Sequence, residues 1–352
     1  MGFKRRLVLT MALVALVSAG TTSAASAHEG HTTPVVTELA SFAAAGCQGG
    51  CGSGSTVGPD HALYVTDGKA GKVYRIDPDT GAMTTFASGL PTTIPDVPIG
   101  GAMDVAFIGN TAYVLVTLVG PFFGQTDVVD GIYRIESNGT GTPIADIGTW
   151  ALANPPATDF FIGSGVQYAM QPYRGGFLVT DGHHNRVLRV KLNGDVSEVV
   201  AFPDIVPTGL ALKENRVFMA QAGPVPHLPE NGKILSFKVK SPNPKEVASG
   251  ASLLVDVEFR HEDSLYALSQ GFWDLDPTNP ANEGQPASPN TGTLEKANKN
   301  GTFTTIVGGL DRPTSLEFIG KSAYVVTLTG KVLKIDNISR HDDDDGHDGG
   351  DD

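Results

Sequence analysis

The stretch LYVTDGKAGKVYRID (63–77), followed by GAMTTFASGLP (81–91), reads as three short strands. Runs rich in Val, Ile and Tyr flank a tight Asp-Gly loop and an Asp-Pro-Asp-Thr-Gly turn, and a Gly-Leu-Pro step ends the unit. Strand residues interrupted by turn formers at such spacing mark antiparallel pairing. Self-similarity at a fixed period marks a repeat architecture, so the rest of the chain is aligned on this unit.

Copies of its aromatic strand are ALYVTD (62–67), AYVLVT (112–117), FLVTD (177–181), VFMAQ (217–221), LYALSQ (265–270) and AYVVTL (323–328). Each is followed by a third strand, such as GKVYRID (71–77), RVLRVK (186–191) or GKVLKID (330–336). Each is preceded by a first strand, such as MDVAFIG, LVDVEF or TSLEFIG, and five are completed by a fourth, such as VSEVVAF (196–202). The last copy stops after Asp336, and VVTELASF (35–42) has the fourth-strand pattern with nothing beside it to pair with. The expected fold is all-β: a six-bladed β-propeller of four-stranded antiparallel blades over residues 34–340, its last blade closed by the N-terminal strand. A ring leaves no dangling edge and cannot be divided without exposing blade faces, so one domain is expected.

Little of the chain has helical periodicity, and 43 Gly and 23 Pro are spread along it. Residues 1–27 read as a signal peptide: Lys4, Arg5 and Arg6 precede an apolar run and a small-residue Ala25-Ser26-Ala27 site. The apolar run is too short for a membrane span, so a secreted, monomeric protein is expected. Residues 28–33 read as a disordered arm and 341–352, with seven Asp, as a disordered acidic tail. A formal net charge of −13 argues against nucleic acid and anionic membrane as partners. The two cysteines, Cys47 and Cys51, are expected to form a disulfide in an exported chain; their spacing is not the two-residue spacing of redox or zinc sites.

The loops are unequal. The second-to-third loop is short in copies one, three and six but long in two, four and five (LVGPFFGQTDVVD, AGPVPHLPEN, GFWDLDPTNPANEGQPASPNT). The connections leaving copies one and two are also long, and in an antiparallel blade they emerge at the same end. One face of the ring is therefore elaborated, and scaffolded loops carry binding more often than the framework does.

The unit LYVTDGKAGKVYRIDPDTG, the FASGLP exit and the RPTSLEF entry resemble the ScyD/ScyE family, exported proteins named from the gene cluster for the pigment scytonemin. That family falls in the broad six-bladed, TolB-like group with NHL-repeat proteins and gluconolactonase-like calcium-dependent hydrolases. The resemblance implies the fold, and implies a non-catalytic binding or assembly role with a small molecule or an exported protein as partner. The first-blade entry departs from the family pattern in carrying the cysteine-bearing glycine run.

Candidate chemistry divides into two sets. Asp104 and Asp256 hold equivalent positions on first strands of opposite copies. Across a channel they could hold Ca²⁺ or act as acid and base, the alternative reading being a lactonase-like hydrolase or lyase. An Asp beside a turn also commonly accepts backbone N–H bonds. The second set is on the elaborated face: Phe122, Phe123, Trp150, His183, His184, His227, Phe272, Trp273 and Asp274, with Phe160 and Phe161. Aromatics there stack on a ligand or cap the core, and the histidines suit a metal or a general base. No G-x-S-x-G elbow, H-E-x-x-H pair or phosphate-cradling loop is present, which disfavours a triad hydrolase.

Overall fold

The computed structural model describes residues 33–42, 47, 49–95, 97–158, 162–261 and 263–338. The expected signal peptide, most of the arm, the acidic tail, Phe160 and Phe161 lie outside these residues.

Strand β1 (Val35–Ser41) comes first in the chain and pairs last. Blade 1 is β2 (Ser55–Val57), β3 (Leu63–Asp67), β4 (Lys72–Ile76) and β5 (Met83–Ala87). Blade 2 is β6 (Gly101–Ile108), β7 (Thr111–Thr117), β8 (Gly131–Ile135) and β9 (Gly141–Asp146). Blade 3 is β10 (Gln167–Pro172), β11 (Gly176–Asp181), β12 (Arg186–Lys191) and β13 (Val196–Ala201). Blade 4 is β14 (Pro207–Lys213), β15 (Arg216–Gln221), β16 (Lys233–Lys238) and β17 (Ser241–Ser249). Blade 5 is β18 (Leu254–Arg260), β19 (Ser264–Ser269), β20 (Gly292–Ala297) and β21 (Phe303–Leu310). Blade 6 is β22 (Pro313–Ile319), β23 (Ser322–Thr327), β24 (Lys331–Asp336) and β1. The chain is a six-bladed β-propeller, and β1 closes its last blade with Val35 opposite Asp336 and Ser41 opposite Lys331.

Burial follows position in the blade. Every residue of β3 (LYVTD) is buried because neighbouring blades cover both faces, which is why such strands read as continuous apolar runs. Outer strands such as β5 (MTTFA) are mostly exposed. Buried hydroxyls at the ends of the second strands stitch adjacent blades: Thr66 donates to the Met103 carbonyl (3.1 Å) and Thr180 to the Thr208 carbonyl (2.7 Å). Cys47 and Cys51 are disulfide-bonded, and the Cys51 N–H donates to the Leu328 carbonyl (3.2 Å), tying the entry of blade 1 to blade 6.

One element was not anticipated. The connection after blade 2 contains helix α1 (Ile147–Ala153), started by the Asp146 side chain accepting from the Thr149 N–H (2.8 Å). Such a cap supplies one of the bonds that the first turn lacks. Among the described residues no helix is long and apolar enough to cross a membrane.

Candidate functional site

Six inner strands line a central channel. Its lower part is a cavity of about 40 Å³ bordered by Asp104, Asp256, Glu258, Glu317, Tyr168 and Ser315 among others. A β-bulge precedes each aspartate, between Ala102 and Asp104 and between Leu254 and Asp256, and re-aims the strand. Asp104 accepts from the Val105 N–H (2.8 Å) and, across the blade boundary, from the Met170 N–H (2.7 Å). Asp256 repeats this with Val257 (2.9 Å) and Leu316 (2.7 Å). On the other side of each aspartate the preceding blade supplies a glycine, Gly54 or Gly209, where any Cβ would collide with the carboxylate. Both aspartates therefore bridge blades with both oxygens engaged.

Calcium takes six to eight oxygens, and among the described residues no group of three or more His, Cys, Asp or Glu side chains converges to hold a metal. The pair Asp104 and Asp256 by itself falls short of that number, and both already accept backbone N–H groups.

Burial raises the pKa of all four channel carboxylates, Asp256 to about 7, and like charges push Glu258 and Glu317 further. A carboxyl whose folded pKa is raised contributes stability that is complete below its unfolded pKa and is lost as pH rises through the folded value. For Asp256 that window runs from about 3.8 to about 7. The melting temperature should therefore fall by on the order of 5 °C between pH 5 and pH 8, and Glu258→Gln with Glu317→Gln should flatten the fall. A double variant with the wild-type slope would show that these carboxyls do not titrate in the window.

Tyr168 and Val255 border this cavity and also a second one of about 90 Å³ above it, at the mouth on the elaborated face. The mouth is walled mainly by apolar groups, including Ile99, Val206, Leu253 and Leu328, with His183, His227, Gln270 and Glu283 as polar groups. Three of its lining residues, Val206, Leu253 and His227, are non-glycine residues with φ of 52°, 46° and 57°. Left-handed backbone at a β-branched valine is an outlier that the surroundings must enforce. Here Asn185 Oδ1 accepts the N–H groups of Ile205 and Val206 (2.8 Å each), and the Ala222 N–H donates to the Val206 carbonyl (2.9 Å).

His227 Nδ1 lies 2.6 Å from the Gly223 carbonyl, so that nitrogen carries the proton and Nε2 is the acceptor of the neutral ring. Burial pushes His227 down and drives His183 to about 4, with His184 and His227 lowering His183 further, so both rings are neutral at pH 7. The rim loop is pinned twice: Trp273 Nε1 donates to the Gln285 carbonyl (3.0 Å) and the Ala287 N–H donates to Gln270 Oε1 (3.0 Å).

Of the described residues expected on the elaborated face, only His183 and His227 line the mouth. Trp273 is buried behind His227, ring edge to ring face at 5.9 Å, and braces it. His184 is fully buried in another cluster, donating from Nε2 to the Ile162 carbonyl (2.8 Å) and accepting at Nδ1 from Arg186 (2.9 Å). Trp150 lies under the Arg186 guanidinium at 4.9 Å. Phe122 and Phe123 pack on each other at 5.0 Å, and exposed Phe272 and Asp274 stand outside the mouth. Tyr168, Gln270 and Glu283 were not singled out, since they carry no motif and meet only through the ring geometry.

No family model and no curated protein sequence matches the chain. Solved structures of similar fold include a gluconolactonase from Xanthomonas campestris (TM-score 0.57, 10% identity, 86% of this chain and 89% of that one). A catalytically inactive virginiamycin B lyase from Staphylococcus aureus with quinupristin has TM-score 0.50 at 13% identity over 86% of this chain and 99% of that one. A PQQ-bound aldose sugar dehydrogenase from Streptomyces coelicolor has TM-score 0.53 at 14% identity over 86% and 98%. These likenesses establish the propeller fold.

Proposed function

We propose that this chain is a small-molecule-binding propeller whose ligand seats an apolar portion in the channel mouth between His183 and His227. The observation that carries this is a pocket of mainly apolar wall with a few convergent polar groups, the common form of a ligand site. Propellers of similar fold include one holding quinupristin and one holding PQQ, so the architecture accommodates such ligands. The finer reading, an exported binding protein of the ScyD/ScyE type, is part of the proposal and draws on the blade motifs and the disulfide. A calcium-dependent hydrolase centred on Asp104 and Asp256 has less support, because backbone N–H groups already occupy their oxygens.

The test is fluorescence titration with the uncharged apolar dye N-phenyl-1-naphthylamine. Wild-type protein should bind it saturably at one site, and His183→Trp, which fills the mouth, should weaken binding at least about tenfold. Equal binding by the folded variant would place the site elsewhere and reject the proposal.

A further inference from the structure

We propose that the natural ligand is an amphipathic anion, its apolar part in the mouth and its charged end in an adjoining groove against Lys69. This rests on the small-molecule reading above and adds the ligand's charge and direction.

Beside the mouth, on the same face, lies an open groove of about 640 Å³. Gln285 and Pro286 line both spaces, so the pinned rim segment is a shared wall and a molecule leaving the mouth over it enters the groove. The floor of the groove continues the apolar character with Ile94 and Pro98. Its charged lining differs from the rest of the molecule. In a chain of net charge −13, the charged side chains among the described lining residues are both cationic, Lys69 and Arg312. Asp96, between two lining residues, lies outside the described residues.

The two cations are not equivalent. Arg312 is buried and its Nε donates to Asp311 (2.8 Å), which neutralises it. Lys69 is exposed, and inside the protein its charge acts on the buried Asp67 carboxylate two residues back. Its backbone N–H donates to the Gly50 carbonyl (3.0 Å), and its aliphatic stem runs beside Gly50 in the disulfide loop. The stem is thus held at the groove wall while the ammonium can turn toward an anion. An ammonium on an apolar surface favours a carboxylate, sulfonate or phosphate carried by an otherwise apolar body. The net negative charge of the protein disfavours anions on average, so a ligand gains from its own charge where that charge reaches Lys69.

Two dyes that differ by one group test this. N-Phenyl-1-naphthylamine is uncharged, and 8-anilinonaphthalene-1-sulfonate has the same rings with a sulfonate. At low salt the sulfonate dye should bind wild-type protein about fivefold more tightly. That advantage should disappear in Lys69→Met, invert in Lys69→Glu, and shrink as salt is added, while the uncharged dye binds all three proteins equally. A sulfonate dye that binds wild type no better than the uncharged one overturns the charge assignment and leaves the mouth pocket standing. So does an advantage that persists in both Lys69 variants. Failure of both dyes to bind wild-type protein overturns the pocket itself.

Discussion

A chain beginning at Ala43, and so lacking β1, should lose its cooperative unfolding transition and aggregate. The strand pairs along its length with β24, and Phe42 extends it with an N–H bond to the Gly330 carbonyl (3.0 Å). Leu39, Ala40 and Phe42 pack on the cluster of Tyr74, Ile76, Tyr324 and Val332, which joins blade 6 to blade 1. Phe42 lies 5.1 Å from the Tyr74 ring, and the Tyr324 hydroxyl donates to the Pro78 carbonyl (3.0 Å) across the same boundary. Each strand hydrogen bond contributes about 1 kcal/mol net, and burying an apolar side chain about 1.5–3 kcal/mol. Together these exceed about 6 kcal/mol, comparable with the whole stability of a typical domain. Removal also bares the edge of β24 to pairing with other chains. A synthetic peptide of residues 33–42 should restore the transition in a concentration-dependent way. A truncated chain that melts within a degree or two of the parent would contradict the closure.

Arg186→Met should lower stability by about 3–5 kcal/mol, the consequence of leaving a buried carboxylate without its cation. The Arg186 guanidinium is buried and reaches Asp181 (3.1 Å), His184 (2.9 Å) and the Asn154 carbonyl (2.8 Å) while stacking on Trp150. Asp181 in turn accepts from the Val166 N–H (3.1 Å), so one side chain ties β12, the loop of His184, the end of α1 and the entry of blade 3. Lysine keeps the charge but loses the planar fork, so Arg186→Lys should fall between wild type and Arg186→Met. The check is urea denaturation of the three proteins, with Asp181→Asn added to Arg186→Met. The second change should recover part of the loss, because it removes the stranded charge. A loss under about 1 kcal/mol in Arg186→Met, or no recovery in the pair, would contradict this account.

The blades were legible because their physics is local. A strand covered on both faces is apolar except where a buried polar group has a partner, as in Leu63–Asp67 with Thr66, and turns such as Asp77–Gly81 announce themselves by composition. The closing role of Val35–Phe42 was legible because the sixth copy lacked a partner. Helix α1 was missed because seven residues give too little periodicity to separate IGTWALA from an extended connection.

The site was legible only in part. His183 and His227 lie in second-to-third loops, and alternation in the blades fixes which face those loops reach. Whether a loop aromatic faces a ligand or its own loop depends on contacts made at a distance, and Trp273 turned inward to hold Gln285. Asp104 and Asp256 were recognised as equivalent, but their role depends on Gly54 and Gly209 in the preceding blades and on N–H donors in the following ones. Lys69 gave no sign at all, since a lysine in a tight loop reads as solvated until the rim of blade 5 is placed beside it.

The central claim is that the channel mouth on the elaborated face is where a ligand binds. Ring-selective NMR of the histidines tests it directly, because the chain carries its own controls. His183 and His227 line the mouth, whereas His61 and His261 are exposed in first-to-second turns at the opposite end of the blades. Titration with 8-anilinonaphthalene-1-sulfonate should shift the ring signals of His183 and His227 saturably, with one common dissociation constant, and leave His61 and His261 in place. Binding that shifts His61 or His261 while His183 and His227 stay fixed would contradict the claim.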